Sequence, residues 1–175
     1  MSFPYKQVFE KAEETLLAYG SKHRPLEQIR ASLDTFKTYQ HRRPSDDQFF
    51  SIMTAVVFYA GFRAATVTAR MKAIERHFPG WKTVSGYTER DIARVLNDAE
   101  MIRNKRKVAA CVKNASVFLE VIQQHGSFQC YIDSFEPADS FENLVRLKQE
   151  LQARFHYLGE VTVYHFLTDI GLAVL

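Results

Sequence analysis

The segment from Ser45 to Gly61 constrains the fold more than any other part of the chain. Ser45-Asp46-Asp47-Gln48 has the form of a capping box, a serine followed three residues later by glutamine, which marks a helix start. The residues that follow, Phe49 to Ala60, are apolar nearly all round. Such a helix has no face to offer water, so the other elements must pack around it. The longest apolar run, Ile52–Phe62, is shorter than the roughly 18 residues that a bilayer span requires. The helix is therefore expected at the centre of a protein core, and no membrane partner is expected.

Around it, almost every segment carries helical periodicity. Tyr5–Tyr19 is amphipathic and closed by Gly20, and Pro25–Phe36 follows with Pro25 suited to a first turn. His41-Arg42-Arg43-Pro44 is a basic break. Beyond Gly61, Ala64–His77 reads as one helix, stopped by Pro79-Gly80. Thr88-Glu89-Arg90-Asp91 resembles a second capping box, opening a short helix to about Asn97. A long helix is predicted from about Asn104 to Gln124, ended by Gly126. One short helix falls within Ser127–Asp139, Ser140 caps Phe141–Phe155, and a last helix runs from about Glu160 to Ile170 before Gly171. No segment alternates as a strand does, and the connections are short. The reading is all-α, with residues 1–44 as an N-terminal helical extension and residues 45–175 as one compact unit.

Composition narrows the partners. Among 175 residues the formal net charge is only +3, so a nucleic-acid surface must be a local patch. The two cysteines, Cys111 and Cys130, lack metal-ligand spacing, and Cys111 falls on an apolar helical face as a buried thiol. Met1–Glu10 has no apolar signal region. A reduced, cytoplasmic, monomeric protein is expected.

The local patch lies at residues 99–116. Arg103, Lys105, Arg106, Lys107 and Lys113 fall between Met101 and Lys113 with no acid among them. Asn104 is a good N-cap, and Val108, Cys111, Val112, Ala115, Phe118, Leu119 and Ile122 repeat at helical spacing behind it. A helix start already carries about half a positive charge, so cations crowded there are disfavoured by about 0.3–1 kcal/mol each. An anion shared between the free amides and these side chains resolves the conflict. A second pattern, helix, Leu158-Gly159, helix, offers outward-facing amides that suit a phosphate without reading base identity.

Several motifs occur in a familiar order: Ala60-Gly61-Phe62-Arg63, Thr66-Val67, Asp91-Ile92-Ala93-Arg94-Val95-Leu96, then Met101 to Val108 and Asn114-Ala115. Tyr157-Leu158-Gly159-Glu160-Val161-Thr162-Val163-Tyr164-His165-Phe166-Leu167 and Ile170-Gly171-Leu172 complete the set. Together, over roughly residues 46–175, they resemble the DNA-3-methyladenine glycosylase I family, within the helix-hairpin-helix DNA glycosylases. The resemblance implies a helix-hairpin-helix bundle that binds double-stranded DNA, flips an alkylated nucleotide and hydrolyses the bond between base and sugar. On that reading Phe58, Tyr59, Arg63, Trp81 and Tyr164 line the base pocket. Arg103, Lys105, Arg106, Lys107 and Gly159 hold backbone phosphates.

Departures from the family pattern carry expectations of their own. Met1–Pro44 does not match the opening segment that supplies part of a zinc site, and the late zinc-ligand His and Cys residues are missing; no zinc and no other cofactor is expected. A pocket glutamate falls at Val56 and a pocket tryptophan at Ala64. The chain stops at Leu175, before the place where many of the wider group carry a catalytic aspartate, which suggests a truncated domain. Asp169 precedes that place and is expected to face solvent or cap a neighbouring helix, so no catalytic residue is assigned. The alternatives are a non-catalytic helix-hairpin-helix module and a helical interaction protein without a nucleic-acid role.

Overall fold

The computed structural model describes residues 14–15, 17–18, 25–31, 43–137 and 140–172. The chain divides into two units, Met1–Arg42 and Arg43–Leu175. In the first, residues 14–15, 17–18 and 26–31 are helical, and the Pro25 carbonyl accepts from the amides of Gln28 and Ile29. The rest of the two expected N-terminal helices, together with His41-Arg42 and the tail at 173–175, lies outside the described residues.

In the second unit all regular structure among the described residues is α-helical. Helix α1 spans Asp46–Tyr59 and starts as its sequence requires. The Gln48 amide donates to Ser45 Oγ at 3.3 Å, and Gln48 Oε1 accepts from the Ser45 amide at 2.8 Å. Phe49, Phe50, Met53, Val57 and Phe58 are all buried. Gly61 turns the chain out of α1 at φ +73°, a backbone region that costs a side-chain-bearing residue about 1–2 kcal/mol.

The predicted helix Ala64–His77 is in fact two: α2, Ala64–Thr68, and α3, Met71–His77. The β-branched run Thr66-Val67-Thr68 favours helix weakly, and the break follows it. A short helix that periodicity did not suggest, α4 (Trp81–Ser85), comes next and packs heavily on the long helix. It starts at Gly80, where the Asp47 carboxylate lies 2.7 Å from the position that a Cβ would occupy. α5 covers Glu89–Asn97 behind Thr88, whose amide and hydroxyl both donate to Asp91 Oδ2, at 2.9 and 2.8 Å. α6 (Lys105–His125) is capped by Asn104 and closed by Gly126; α7 is Phe128–Asp133. α8 (Phe141–Arg154) is capped by Ser140, and α9 (Thr162–Asp169) is shorter at both ends than its periodicity predicts.

The core gathers on α6. Val108, Cys111, Ala115, Phe118 and Val121 are fully buried along one stripe, and burial pushes the Cys111 thiol up to about 12. Phe118 stacks on Phe128 with ring centres 4.2 Å apart. Phe49, Phe155 and Phe166 close around Phe128. Each buried ring contributes about 1.5–3 kcal/mol of transfer free energy. The cluster also decides position, because Phe155 and Phe166 bracket the turn between α8 and α9, the first meeting Phe118 of α6 and the second Phe128 of α7.

Candidate functional site

A cleft of about 520 Å³ opens between the C-terminal end of α1 and the face of α9. One wall is the corner that leaves α1: Val56, Tyr59, Ala60, Gly61, Phe62 and Ala64. The facing wall is Val161, Thr162, His165 and Asp169. The walls differ in chemistry. The first offers two aromatic rings and small apolar side chains; the second offers a hydroxyl, an imidazole and a carboxylate. Tyr59 is tethered there by its hydroxyl, 3.0 Å from Thr68 Oγ1. A flat aromatic ligand fits this arrangement, stacked against the corner and read from α9.

Two side chains of α6 set the separation of those walls. Lys107 is almost fully buried, and its ammonium donates to the carbonyls of Val57 and Ala60 (2.6 Å for Ala60), with Phe58 at 3.4 Å. These are the end carbonyls of α1, which have no amide partner within the helix and attract a cation. The same ammonium lies 5.3 Å from the centre of the Phe62 ring and 4.7 Å from that of Tyr157. Lys107 is thus clamped between the cleft corner and the α8–α9 turn, and desolvation pulls its pKa below the ordinary lysine value. Asn114, two turns further along, is also buried. Its amide nitrogen donates to the His156 carbonyl at 3.1 Å, and its oxygen accepts from the His156 amide at 2.8 Å.

The turn so held is unusual in one respect. Its left-handed residue is Tyr157, at φ +67°, and not Gly159. A tyrosine there stores about 1–3 kcal/mol of strain, which Asn114 and the Lys107–Tyr157 contact hold in place. Gly159 instead leaves its surface bare: a Cβ there would meet only Thr162 Oγ1, at 3.9 Å. Thr162 Oγ1 accepts from the Gly159 amide and donates to the Tyr157 carbonyl, which ties the turn to the first residue of α9. Glu160 is paired with Lys148 at 2.7 Å and accepts from Gln152. The Lys148 ammonium holds the Glu160 carboxyl below its ordinary value.

The structure redistributes the residues that the sequence nominated. Of the five assigned to a pocket, Tyr59 lines the cleft. Phe58 does not: it is fully buried against Phe78, on the core side of α1. Trp81 is buried at the start of α4, away from the cleft. Arg63 is exposed as the residue preceding α2, outside the lining. Tyr164 points to the hairpin side, with the Lys148 ammonium 5.0 Å over its ring. Among the cations, Arg103, Lys105 and Arg106 are exposed and pair with no described acid. Lys107 is corrected from a phosphate ligand to an internal tie, since its ammonium is consumed by carbonyls and rings.

Asp169 is exposed to solvent, as expected, and its place at the open cleft is what the sequence did not indicate. Thr162, His165 and Asp169 were legible in principle, because residues three and four apart share one face of a helix. That stripe was hidden by the stronger apolar one of Val163, Phe166, Leu167 and Ile170. Conversely, Val56 and Ala64, the positions matched to a pocket glutamate and tryptophan, do line the cleft.

Comparison with known proteins places this geometry. Residues 37–174 match the methyladenine glycosylase family. Among solved structures, a 3-methyladenine DNA glycosylase I from Staphylococcus aureus superposes with a TM-score of 0.65 at 24% identity, covering 77% of this chain and 82% of that one. A tyrosine-to-phenylalanine variant of 3-methyladenine DNA glycosylase I in complex with 3-methyladenine gives the same TM-score and identity, over 75% and 80% of the two chains. At such identities these likenesses establish the helical fold.

Proposed function

Because the chain belongs to the methyladenine glycosylase family and is a DNA glycosylase, we propose that it draws an alkylated nucleotide out of double-stranded DNA into the α1–α9 cleft and hydrolyses its glycosidic bond there. The observation that carries this reading is the cleft itself. A ring-bearing corner faces a polar helix, and that helix begins at a backbone-exposing turn.

Each part of the site has work in that reaction. The Gly159 turn and the exposed Arg103, Lys105 and Arg106 at the start of α6 hold phosphates on either side of the flipped nucleotide. Tyr59 and Phe62 stack on the base, and a base made cationic by alkylation gains from their electron-rich faces. Lys107 and Asn114 fix the spacing between clamp and pocket. In the reaction, the bond between C1′ and the base nitrogen breaks and its electron pair moves onto the base, which leaves uncharged. Water adds to C1′ and gives up a proton. Val56 and Ala64 make this pocket less charged and roomier than one holding glutamate and tryptophan, so the family's type base, 3-methyladenine, is joined by bulkier alkylated purines.

The protein acts as a monomer in the cytoplasm, with residues 1–44 as an extension to the glycosylase unit. No helix of the described residues is long and apolar enough to cross a membrane. The test is direct. Incubation with methylated duplex DNA should release free 3-methyladenine and other alkylated purines, detected by chromatography and mass spectrometry. Release no faster than the protein-free control overturns the proposal.

A further inference from the structure

We propose that Lys148 and Gln152 of α8 form a seat for a DNA backbone phosphate, and that Glu160 fills this seat until DNA displaces it. The proposal rests on the reading that the α8–α9 turn meets the DNA backbone. To that turn it adds two ligands and a built-in competitor.

Glu160 stands between Gly159 and Val161, so the turn assigned to a phosphate carries a carboxylate of its own. The amides of Glu160 and Val161 find no acceptor among the described residues, yet the carboxylate does not fold back onto them. It turns to α8 instead. One oxygen, Oε2, accepts from the Lys148 ammonium at 2.7 Å, and the other, Oε1, accepts from the Gln152 side-chain amide at 3.1 Å. Residues four apart on a helix are neighbours on one face, so the two donors stand side by side. The unbridged oxygens of a phosphodiester offer such a pair of donors the same pattern, two acceptors on one atom sharing one negative charge. Glu160 is an internal stand-in for that phosphate.

The two ends of the pair differ in freedom. The Lys148 side chain is 17% exposed, with its ammonium 5.0 Å over the Tyr164 ring, whereas the Glu160 side chain is 78% exposed. The lysine is the fixed partner and the glutamate the one that can leave. A pair with so exposed a carboxylate is weak, and a released carboxylate regains its hydration, so exchange for a phosphate costs little. While Glu160 stays, its charge opposes a phosphate at the turn. Undamaged DNA, bound through its backbone alone, is held less tightly as a result.

The experiment uses the full chain and a fluorescently labelled undamaged duplex, with affinity read by anisotropy over a series of salt concentrations. Glu160→Gln is expected to tighten binding by about fivefold or more, because the seat is opened. Made in a Lys148→Met background, the same change should alter affinity by less than about twofold, since no cation is left to release. Lys148→Met added to Glu160→Gln should lower the slope of log affinity against log salt by about one. A Glu160→Gln variant that binds like wild type overturns the proposal, and this comparison does not depend on the lysine variant folding. An equal gain with and without Lys148 overturns it too, because the glutamate would then act through bulk charge alone. A wild type that neither binds duplex nor releases base overturns the underlying function instead, so the two failures are distinguishable.

Discussion

Lys107 concentrates the conflict between what a residue type suggests and what its surroundings make of it. In the sequence it is one of a row of cations, indistinguishable from Lys105 and Arg106. In the fold it is buried, and its ammonium replaces the missing amide partners at the end of α1. Lys107→Met keeps much of the stem but leaves those carbonyls unpaired in a dry place. The loss is expected to be about 2–4 kcal/mol, read as a lower urea midpoint with an unchanged denaturant slope. Lys105→Met, exposed, should stay within about 0.5 kcal/mol of wild type. Tyr59 gives the complementary case. Tyr59→Phe loses one exposed hydroxyl contact with Thr68 and keeps the ring, so base release should be close to wild type. Tyr59→Ala removes a wall of the cleft and should slow single-turnover release by about tenfold or more, at little cost in stability. Phe58 and Tyr59 are neighbours, and only their phase on α1 separates core from cleft. On a helix apolar nearly all round, the sequence offers no polar face from which to read that phase.

At the scale of elements, α6 is the organiser. Its start exposes Arg103, Lys105 and Arg106, its first turn ties down the cleft corner through Lys107, and Asn114 holds the α8–α9 turn. Asn114→Ala strips two hydrogen bonds from the His156 backbone, at an expected cost of about 1–3 kcal/mol. Its local signature would be faster amide hydrogen exchange at residues 156–160 with the α6 core still protected. The exposed cations act through salt. Neutralising Arg103, Lys105 and Arg106 one at a time should each lower the slope of log affinity against log salt by about one, uniformly across DNA sequences. An unchanged slope in the triple variant would remove the α6 start from the DNA surface. Most helices were legible because their signals are local: the capping box at Ser45, Asn104 before α6, Ser140 before α8. α4 and the break at Ala69-Arg70 were not. α4 is held by packing on α6, which leaves no periodic trace.

For the molecule as a whole, stability against pH is bounded on both sides. On the acid side, the His77 ring nitrogen, the Glu100 amide and Arg76 all bond to Asp98 and hold its carboxyl well below the usual carboxylate range. The amide and hydroxyl of Thr88 lower Asp91, and Lys148 lowers Glu160. A carboxyl depressed in the folded state binds fewer protons there than in the unfolded chain. Its contribution is complete above the unfolded value near pH 4 and is lost as pH falls further. Asp98→Asn should therefore be less stable than wild type at pH 6, with the gap closing toward pH 2. On the alkaline side the sign reverses. Burial raises Cys111 and Tyr131 to about 12 each, so the unfolded chain releases these protons while the folded protein keeps them. Stability then falls as pH rises past the ordinary thiol and phenol values, with a limiting slope of about 1.4 kcal/mol per pH unit for each group. Cysteine titrates first, so Cys111→Ala should flatten the decline between about pH 9 and pH 10 and leave the later one intact. Urea melts of both proteins from pH 7 to pH 11 separate the two. A wild type whose midpoint does not move over that range would mean that the thiol is not sealed in the core, and that α6 does not pack as tightly as its stripe of Val108, Cys111, Ala115 and Phe118 requires.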